Sequence, residues 1–151
     1  MKKAFLFLTL VFSVAISSAQ IPNPVSWSFT SKKISENVYE VQMAANIQPG
    51  WHLYAQMQPK DAIAVPTIFQ FSNNPLVALD GKVKEAGKME KFVDKDLGVS
   101  ANQYSRQVVF TQKVKLKGKA KSNVAGNVTF QTCDDKKCLP PKTVPFTIAL
   151  K

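Results

Sequence analysis

Two cysteines, Cys133 and Cys138, are the residues of this chain best suited to chemistry. They are the only cysteines among its 151 residues. Four residues separate them, and strand-like segments flank the pair on both sides. A connection of this length lets the chain turn back and brings the two Cα atoms within the roughly 4.4–6.8 Å that a disulfide requires. The spacing therefore predicts a disulfide at a tight connection between two strands.

Such a bond serves either as a structural staple or as an exchanging redox pair. Closing a loop of about six residues stabilises a domain by only roughly 2 kcal/mol in the chain-entropy model. A domain of this size can also bury an adequate core without the bond. Exchange needs access and a second cysteine that resolves the mixed disulfide, and neighbouring cysteines meet the second need. These arguments favour exchange, although the mixed charges of the loop leave the stability of a thiolate open.

Other chemistries lack the residues they need. Two cysteines and the single histidine, His52, fall short of the four ligands of a structural zinc site. The sequence has no haem-attachment motif, nucleophile elbow, phosphate-binding glycine loop or dinucleotide fingerprint. No acidic residue lies near His52 in sequence, so we interpret it as a surface or packing residue. We expect no metal site, and the missing motifs favour thiol exchange or plain binding.

The N-terminus has the features of a cleaved signal peptide over residues 1–19. A basic start at residues 1–3 precedes an apolar run at 4–16, and small residues follow at 17–19. The apolar run is too short to span a bilayer, and no later segment is long and apolar enough. We therefore expect one exported domain over residues 20–151, located in the periplasm, where disulfides persist.

Short alternating runs separated by turn residues predict an all-β, immunoglobulin-like sandwich of about eight strands. The runs lie at residues 25–29, 39–47, 51–57, 66–71, 82–88, 108–116, 128–130 and 144–150. Residues 89–103 show no sustained period of either kind and are predicted to form a loop. No long segment has helical periodicity.

The formal net charge of +10 raises the question of nucleic acid or an anionic membrane as a partner. Arg106 is the only arginine, whereas phosphate and base recognition favour arginine. Alternate residues from Lys113 to Lys121 are lysines, which predicts the solvated face of a strand. We expect no nucleic-acid binding and no stable membrane insertion. Binding of anions or a membrane surface by this lysine face is the weakest of three functional hypotheses.

The mature chain resembles the N-terminal domain of the thiol:disulfide interchange protein DsbD, a family also known as disulfide bond corrector domains. The resemblance covers most of residues 22–150 and rests on three segments. These are Pro49 to Tyr54, Asp96 to Val114 and Thr132 to Pro141. The last segment is the most specific, because it combines a strand, Cys-x4-Cys-Leu-Pro-Pro and another strand.

The resemblance implies an immunoglobulin-like fold with the cysteine pair at one edge. It also implies dithiol–disulfide exchange through a mixed disulfide, without a cofactor. The expected partners are thioredoxin-like or membrane-embedded thiol:disulfide proteins. By the same resemblance, Cys138 rather than Cys133 is expected to meet the partner.

In the family a cap loop covers the cysteine pair and opens when a partner docks. The matching stretch here is 89–103, with Leu97 as the first candidate for the capping side chain and Phe92 as the second. Trp51 and Tyr54 match positions whose aromatic side chains pack near the pair. Both also fit ordinary core positions, and Trp51 does so better because it is in phase with Leu53. Pro140 belongs to the motif that follows the second cysteine.

The chain departs from the family in two respects. The best-known member has one more residue between its cysteines and an aromatic cap, so the cap geometry is expected to differ. Full-length family proteins continue into a transmembrane domain and a second redox domain, whereas this sequence ends at Lys151. We therefore expect a stand-alone thiol:disulfide oxidoreductase module with a separate electron donor. The alternative is a non-enzymatic exported binding module in which the disulfide is a fixed clasp.

Overall fold

The computed structural model describes residues 22–151, so the predicted signal peptide lies outside the described residues. The regular secondary structure of the described part consists of strands and no helix, which confirms the all-β prediction. It has eleven strands instead of about eight: β1 (Val25–Lys33), β2 (Val38–Ile47), β3 (His52–Tyr54), β4 (Ile68–Phe71), β5 (Val77–Gly87), β6 (Glu90–Asp94), β7 (Val99–Tyr104), β8 (Gln107–Leu116), β9 (Asn123–Phe130), β10 (Thr132–Cys133) and β11 (Lys142–Ala149).

The strands form three antiparallel sheets. The first has the order β1-β2-β8-β5, the second β10-β3-β7-β6 and the third β11-β9-β4. A single residue, Gln131, separates the end of β9 from the start of β10, so the second and third sheets adjoin there. Between residues 22 and 151 there is no helix that could span a lipid bilayer.

The core lies between the sheets and follows the predicted alternation. In β2 and β8, every second residue is buried, and Met43 of β2 lies directly opposite Phe110 of β8 with both fully buried. Trp27 of β1 packs among aromatic rings, with centroid distances of 5.9 Å to Phe110 and 5.4 Å to Phe130. Full burial of each large apolar side chain stabilises the fold by about 1.5–3 kcal/mol. Leu53 of β3 and Tyr104 of β7 belong to the same core, so the second sheet packs on it.

One buried polar residue, Gln112, interrupts the apolar face of β8 and stabilises a bulge. The register of β5 against β8 shifts between Asp80 and Lys84. The Gln112 side-chain nitrogen lies 2.9 Å from the carbonyl oxygen of Asp80 and 2.8 Å from that of Lys113. Because carbonyl groups at a bulge lose ladder partners, the buried amide satisfies acceptors that would otherwise be unpaired.

The prediction of a loop over 89–103 was wrong. These residues form the hairpin of β6 and β7, with register pairs from Glu90↔Gln103 to Asp94↔Val99. Three consecutive side chains of β6, at residues 91–93, are exposed. The strand therefore lacks the alternation of apolar and polar residues by which a half-buried strand is recognised.

Two other predicted strands are shorter than their sequence patterns. The third run, predicted over 51–57, forms a strand only at His52–Tyr54. Beyond it, the Gln58 side chain donates to the carbonyl oxygens of Ala55 and Asn102, and so holds the departing chain against β7. The lysine-rich run leaves the sheet at Leu116, before Gly118 adopts a positive φ of 107°. Only Lys113 and Lys115 of the five lysines lie in β8, so three-fifths of the predicted lysine face is loop.

Candidate functional site

The predicted disulfide joins Cys133 and Cys138, whose Cα atoms are 4.0 Å apart. The two residues also form an isolated antiparallel bridge, so the chain reverses directly at the pair. Cys133, in β10, is only 4% exposed, whereas Cys138 is exposed. The pair is therefore asymmetric, with one cysteine accessible to a partner and the other enclosed by the domain.

The four residues between the cysteines, 134–137, form a turn that we call the cysteine turn. The Asp134 carboxylate accepts hydrogen bonds from the amides of Lys136 at 2.8 Å and Lys137 at 2.7 Å. The Asp134 amide in turn donates to the Lys137 carbonyl oxygen at 2.9 Å. The two amide donors lower the pKa of Asp134 below its usual range. The carboxylate thus organises the turn, a common role of aspartate.

Short but well-anchored segments position Cys133. In the pairing of β10 with β3, Thr132 lies opposite Leu53 and Cys133 lies opposite His52. After the pair, the Leu139 amide donates to the Thr132 carbonyl oxygen at 2.9 Å. The chain is therefore held on both sides of the disulfide.

Cys133 belongs to a small apolar cluster that is separate from the main core. Its buried members are Tyr54, Ala101 and Cys133, with Ala64 packed against them. Burial raises the pKa of Tyr54. An environment that disfavours a charged phenolate in this way also disfavours a thiolate.

His52 has acquired partners that its sequence neighbourhood did not indicate. Its Nδ1 lies 3.3 Å from Ser105 Oγ, and its Nε2 lies 3.4 Å from Asp135 Oδ1. Ser105 Oγ donates to the Glu90 carboxylate. The fold thus brings a carboxylate, Asp135, to a histidine that has no acidic neighbour in sequence. The sequence analysis missed these contacts because Ser105 and Asp135 are 53 and 83 residues away from His52 in the chain.

A groove of about 820 Å³ lies beside the disulfide and collects most of the predicted site residues. Both cysteines line it, together with Tyr54, Phe92 and Leu97. Two other predicted residues lie elsewhere. Trp51 is half-buried against the main core, and Pro140 is exposed and does not line the groove. No group of three or more histidine, cysteine, aspartate or glutamate side chains within residues 22–151 could hold a metal ion.

The β6–β7 hairpin forms one wall of the groove, and we call residues 94–97 its cap turn. The Asp94 carboxylate accepts from the amides of Asp96 and Leu97, both at 3.0 Å. Gly98 follows with a positive φ of 66°, a conformation in which glycine avoids steric strain. Leu97 is 72% exposed and Phe92 is 47% exposed. Two apolar side chains are therefore displayed at the edge of the groove.

Comparison with known proteins now decides the family. The model of the family "Thiol:disulfide interchange protein DsbD, N-terminal" matches residues 18–149. The chain belongs to this family. Membership and the Cys133–Cys138 disulfide together support a thiol:disulfide interchange module. Among curated proteins, none matches the chain significantly.

Solved structures of N-terminal domains from DsbD and ScsB proteins share the fold. The reduced Neisseria meningitidis domain is 16% identical with a TM-score of 0.50, over 82% of this chain and 84% of that one. The N-terminal periplasmic domain of ScsB from Proteus mirabilis is 16% identical with a TM-score of 0.52, over 83% of this chain and 44% of that one. These similarities confirm the immunoglobulin-like fold.

A third similar structure is a complex. It contains the N-terminal domains of DsbD and PilB from Neisseria meningitidis. The match is 13% identical with a TM-score of 0.50, and it covers 82% of this chain and 80% of that one.

Proposed function

We propose that this protein is a periplasmic thiol:disulfide oxidoreductase module that relays electrons between partner proteins through Cys133 and Cys138. The observation that carries the proposal is the asymmetry of the disulfide. An exposed Cys138 is bonded to a buried Cys133 at the edge of a groove large enough for a partner segment. A staple needs no such asymmetry, whereas exchange needs one accessible sulfur and one protected resolving sulfur.

The proposed order of steps follows from this accessibility. A thiolate of the reducing partner attacks Cys138 Sγ, the bond between the cysteines breaks, and Cys133 leaves with the electron pair. The second thiol of the partner then attacks its own sulfur in the mixed disulfide and expels Cys138. The domain has gained two electrons and two protons, and the partner has become a disulfide. Reduction of an acceptor disulfide runs through the same steps in reverse.

We propose thioredoxin-like or membrane-embedded thiol:disulfide proteins as partners. A known complex of a DsbD N-terminal domain with a PilB N-terminal domain supports a protein partner on this fold. Leu97 and Phe92 stand at the groove edge with much of their apolar surface exposed. In our proposal they cover the disulfide between encounters and contact the partner when it docks. Tyr54 contributes from below by enclosing Cys133.

The proposed location is the periplasm, after cleavage of a signal peptide over residues 1–19. The sequence pattern of the N-terminus supports the signal peptide. The similarity to a domain described as periplasmic supports the location. Mass spectrometry of protein purified from a periplasmic extract would test both, with a mature N-terminus near Gln20 as the expected result.

The experiment that tests the function combines exchange with trapping. Cys133→Ser and Cys138→Ser should each abolish reduction of a partner disulfide while the circular dichroism spectrum stays unchanged. Cys133→Ser, which keeps the exposed thiol, should accumulate a mixed disulfide with a thioredoxin-like protein, and Cys138→Ser should not. If the double variant still reduces the partner disulfide, the proposal is wrong.

The reduction potential separates this proposal from a fixed clasp. An exchanging bond should have a potential above about −300 mV, whereas a structural bond lies below that value. The potential is obtained by equilibrating the protein with defined ratios of reduced and oxidised dithiothreitol and counting free thiols. A lower potential would favour a binding module in which the disulfide never opens.

A further inference from the structure

We propose that Ile63 is a specificity-determining contact for the partner in thiol–disulfide exchange, and that Gln131 is the positioning residue that holds it beside the disulfide. This inference rests on the proposed function and deepens it, because it adds a second partner contact to that of the cap turn. It is carried by the hydrogen bonds that fix an irregular segment at the groove and by the exposure of one apolar side chain on that segment.

Ile63 lies in the irregular segment between β3 and β4, residues 55–67, which we call the connecting segment. Connections of this length without strand or helix are uncommon in compact domains, and they usually serve binding or catalysis. Ile63 and Ala64 line the groove together with Cys133 and Cys138. The connecting segment is therefore a third element of the groove, in addition to the cysteine turn and the cap turn.

Hydrogen bonds and packing hold the connecting segment against the second sheet. The buried Thr67 hydroxyl donates to the carbonyl oxygen of Tyr54 at 2.6 Å. Ser100 Oγ of β7 donates to the Asp61 carboxylate at 2.9 Å. Ala64 packs against the small apolar cluster of the site. A side chain displayed on a segment fixed in this way loses little conformational freedom when a partner covers it.

Gln131 joins the connecting segment to the residue that follows the disulfide. Its Oε1 accepts from the Val65 amide at 3.0 Å, and its Nε2 donates to the Leu139 carbonyl oxygen at 3.2 Å. Val65 comes two residues after Ile63, and Leu139 directly follows Cys138. One half-buried side chain thus sets the position of Ile63 relative to the accessible cysteine.

Ile63 is 80% exposed although its segment is anchored at the disulfide. Phe92 and Leu97 are also exposed and line the same groove. A single exposed apolar side chain is ordinary, whereas several around one reactive sulfur indicate an interaction site. The aspartate and lysine side chains that line the groove belong to the cysteine turn and the cap turn. The connecting segment therefore gives the groove an apolar, uncharged side.

The chemistry of exchange identifies what covers this side. A partner sulfur must come within bonding distance, about 2.05 Å, of Cys138 Sγ. Redox encounters bury up to about 600 Å² on each protein, so the partner extends over the groove that Cys138 shares with Ile63. The partner that fits is a thioredoxin-like protein with an apolar side chain next to its attacking cysteine. A charged side chain there would lose hydration against Ile63 without gaining an ion pair.

The first test compares reduction of the disulfide by reduced thioredoxin and by dithiothreitol. Ile63→Ala should lower the second-order rate with thioredoxin about fivefold, because apolar contact is lost, and leave the rate with dithiothreitol unchanged. Ile63→Leu should keep the native rates. Ile34→Ala, which removes an exposed isoleucine that does not line the groove, is the matched control and should behave as the native protein. A native thioredoxin rate in Ile63→Ala would overturn the contact.

Gln131→Ala tests the positioning role. It should slow thioredoxin about as much as Ile63→Ala does, and the double variant should be no slower than the slower single variant, since both changes remove the same contact. Gln131→Met, which keeps a long side chain but neither hydrogen bond, replaces it if Gln131→Ala does not fold. If Gln131 served only the stability of the domain, the two losses would multiply, and that result would overturn its role.

A trapped complex tests the contact without changing Ile63 or Gln131. In Cys133→Ser, Cys138 is activated with an aromatic disulfide and joined to a thioredoxin that keeps only its attacking cysteine. The amides of residues 61–65 should then exchange with deuterium at least about threefold more slowly than in free Cys133→Ser, whereas those of residues 34–37 should not change.

Unchanged exchange at residues 61–65 in the conjugate would overturn the contact. A different result bears on the proposed function. If thioredoxin did not reduce the native disulfide at all, while residues 61–65 were protected in the conjugate, the proposed function would fail and the contact would stand.

Discussion

The cysteine turn at 134–137 and the cap turn at 94–97 face the same groove and are built by the same device. In each, an aspartate carboxylate accepts hydrogen bonds from the amides two and three residues further along the chain. They differ in what closes them. The cysteine turn is bridged by a disulfide and by a backbone bond from Asp134 to Lys137. The cap turn continues through Gly98, in the left-handed region, into β7.

Because only the cysteine turn is bridged by a disulfide, reduction should change the mobility of the two walls of the groove to different extents. Breaking the disulfide removes a constraint from the cysteine turn and none from the cap turn. The cap turn is held by the pairing of β6 with β7 and by its own aspartate, without a covalent bond to the cysteines. We therefore expect the cysteine turn to control the reactivity of the disulfide and the cap turn to control the access of partners to it.

The largest expected effect concerns the two ends of the cysteine turn. After reduction, iodoacetamide should alkylate Cys138 about a hundredfold faster than Cys133, because Cys133 is only 4% exposed and lies among apolar groups. Mass spectrometry of digested samples taken over time gives both rates. Equal rates would mean that reduction releases β10 from the sheet. The difference in accessibility between Cys133 and Cys138 would then depend on the disulfide.

The next effect tests the cap turn. Leu97→Ala should lower the second-order rate of exchange with a thioredoxin-like partner about tenfold, since burial of a leucine contributes about 1.5–3 kcal/mol. The same change should not lower the rate with dithiothreitol, which is too small to use the cap as a contact. Stopped-flow tryptophan fluorescence measures both rates. Equal losses with both reductants would show that Leu97 acts on the disulfide itself.

A smaller effect is expected when the aspartate of each turn is removed. Asp134→Ala should make the disulfide a few-fold easier to reduce at equilibrium with glutathione, because the turn that holds the cysteines together loses its acceptor. Asp94→Ala should leave that equilibrium unchanged. Quantified free thiols at several glutathione ratios provide the comparison.

The cysteine turn should also respond to acid. Since the pKa of Asp134 is lowered in the folded protein, its contribution is complete above the usual aspartate pKa and is lost as the pH falls through the lowered value. The native protein should therefore approach the equilibrium of Asp134→Ala only in strong acid. A shift of the equilibrium near neutral pH would contradict this role of the carboxylate.

The smallest effect concerns the base of the cap hairpin, where Tyr104 is buried at the end of β7. Burial, followed by the charge of Glu85, raises the pKa of Tyr104 to about 12. Its phenol stabilises the fold fully below about pH 10, and this stability is lost as the pH rises toward about 12. The native Tm should fall by a few degrees more than that of Tyr104→Phe over this range. Parallel curves would show that the phenol does not anchor the hairpin.

The sequence predicted the parts of the fold that obey a period of two. In β2 and β8, burial alternates along almost the whole strand, so Met43 and Phe110 could be assigned to the core from pattern alone. The β6 strand was not predicted because Phe92 and Val93, which are neighbours in sequence, are both apolar and both exposed. Its sequence therefore does not alternate between buried apolar and exposed polar residues. A strand at the edge of a groove can expose apolar side chains on both faces, and period-two alternation does not detect it.

The site could be predicted only as far as its local sequence. Cys133 and Cys138 are close along the chain, and their spacing was enough to predict the bond. The surroundings of His52 depend on the approach of β7 and of the cysteine turn, which no local pattern encodes. Its Ser105 and Asp135 partners became visible only when the register of the second sheet was known.

The side chains of the three residues of β3 alternate between the two faces of the strand. Leu53 is fully buried in the main core, while its neighbours His52 and Tyr54 line the groove. A slip of one residue would exchange these faces, placing an imidazole in the core and a leucine at the disulfide. An error in pairing would therefore cost stability and chemistry together.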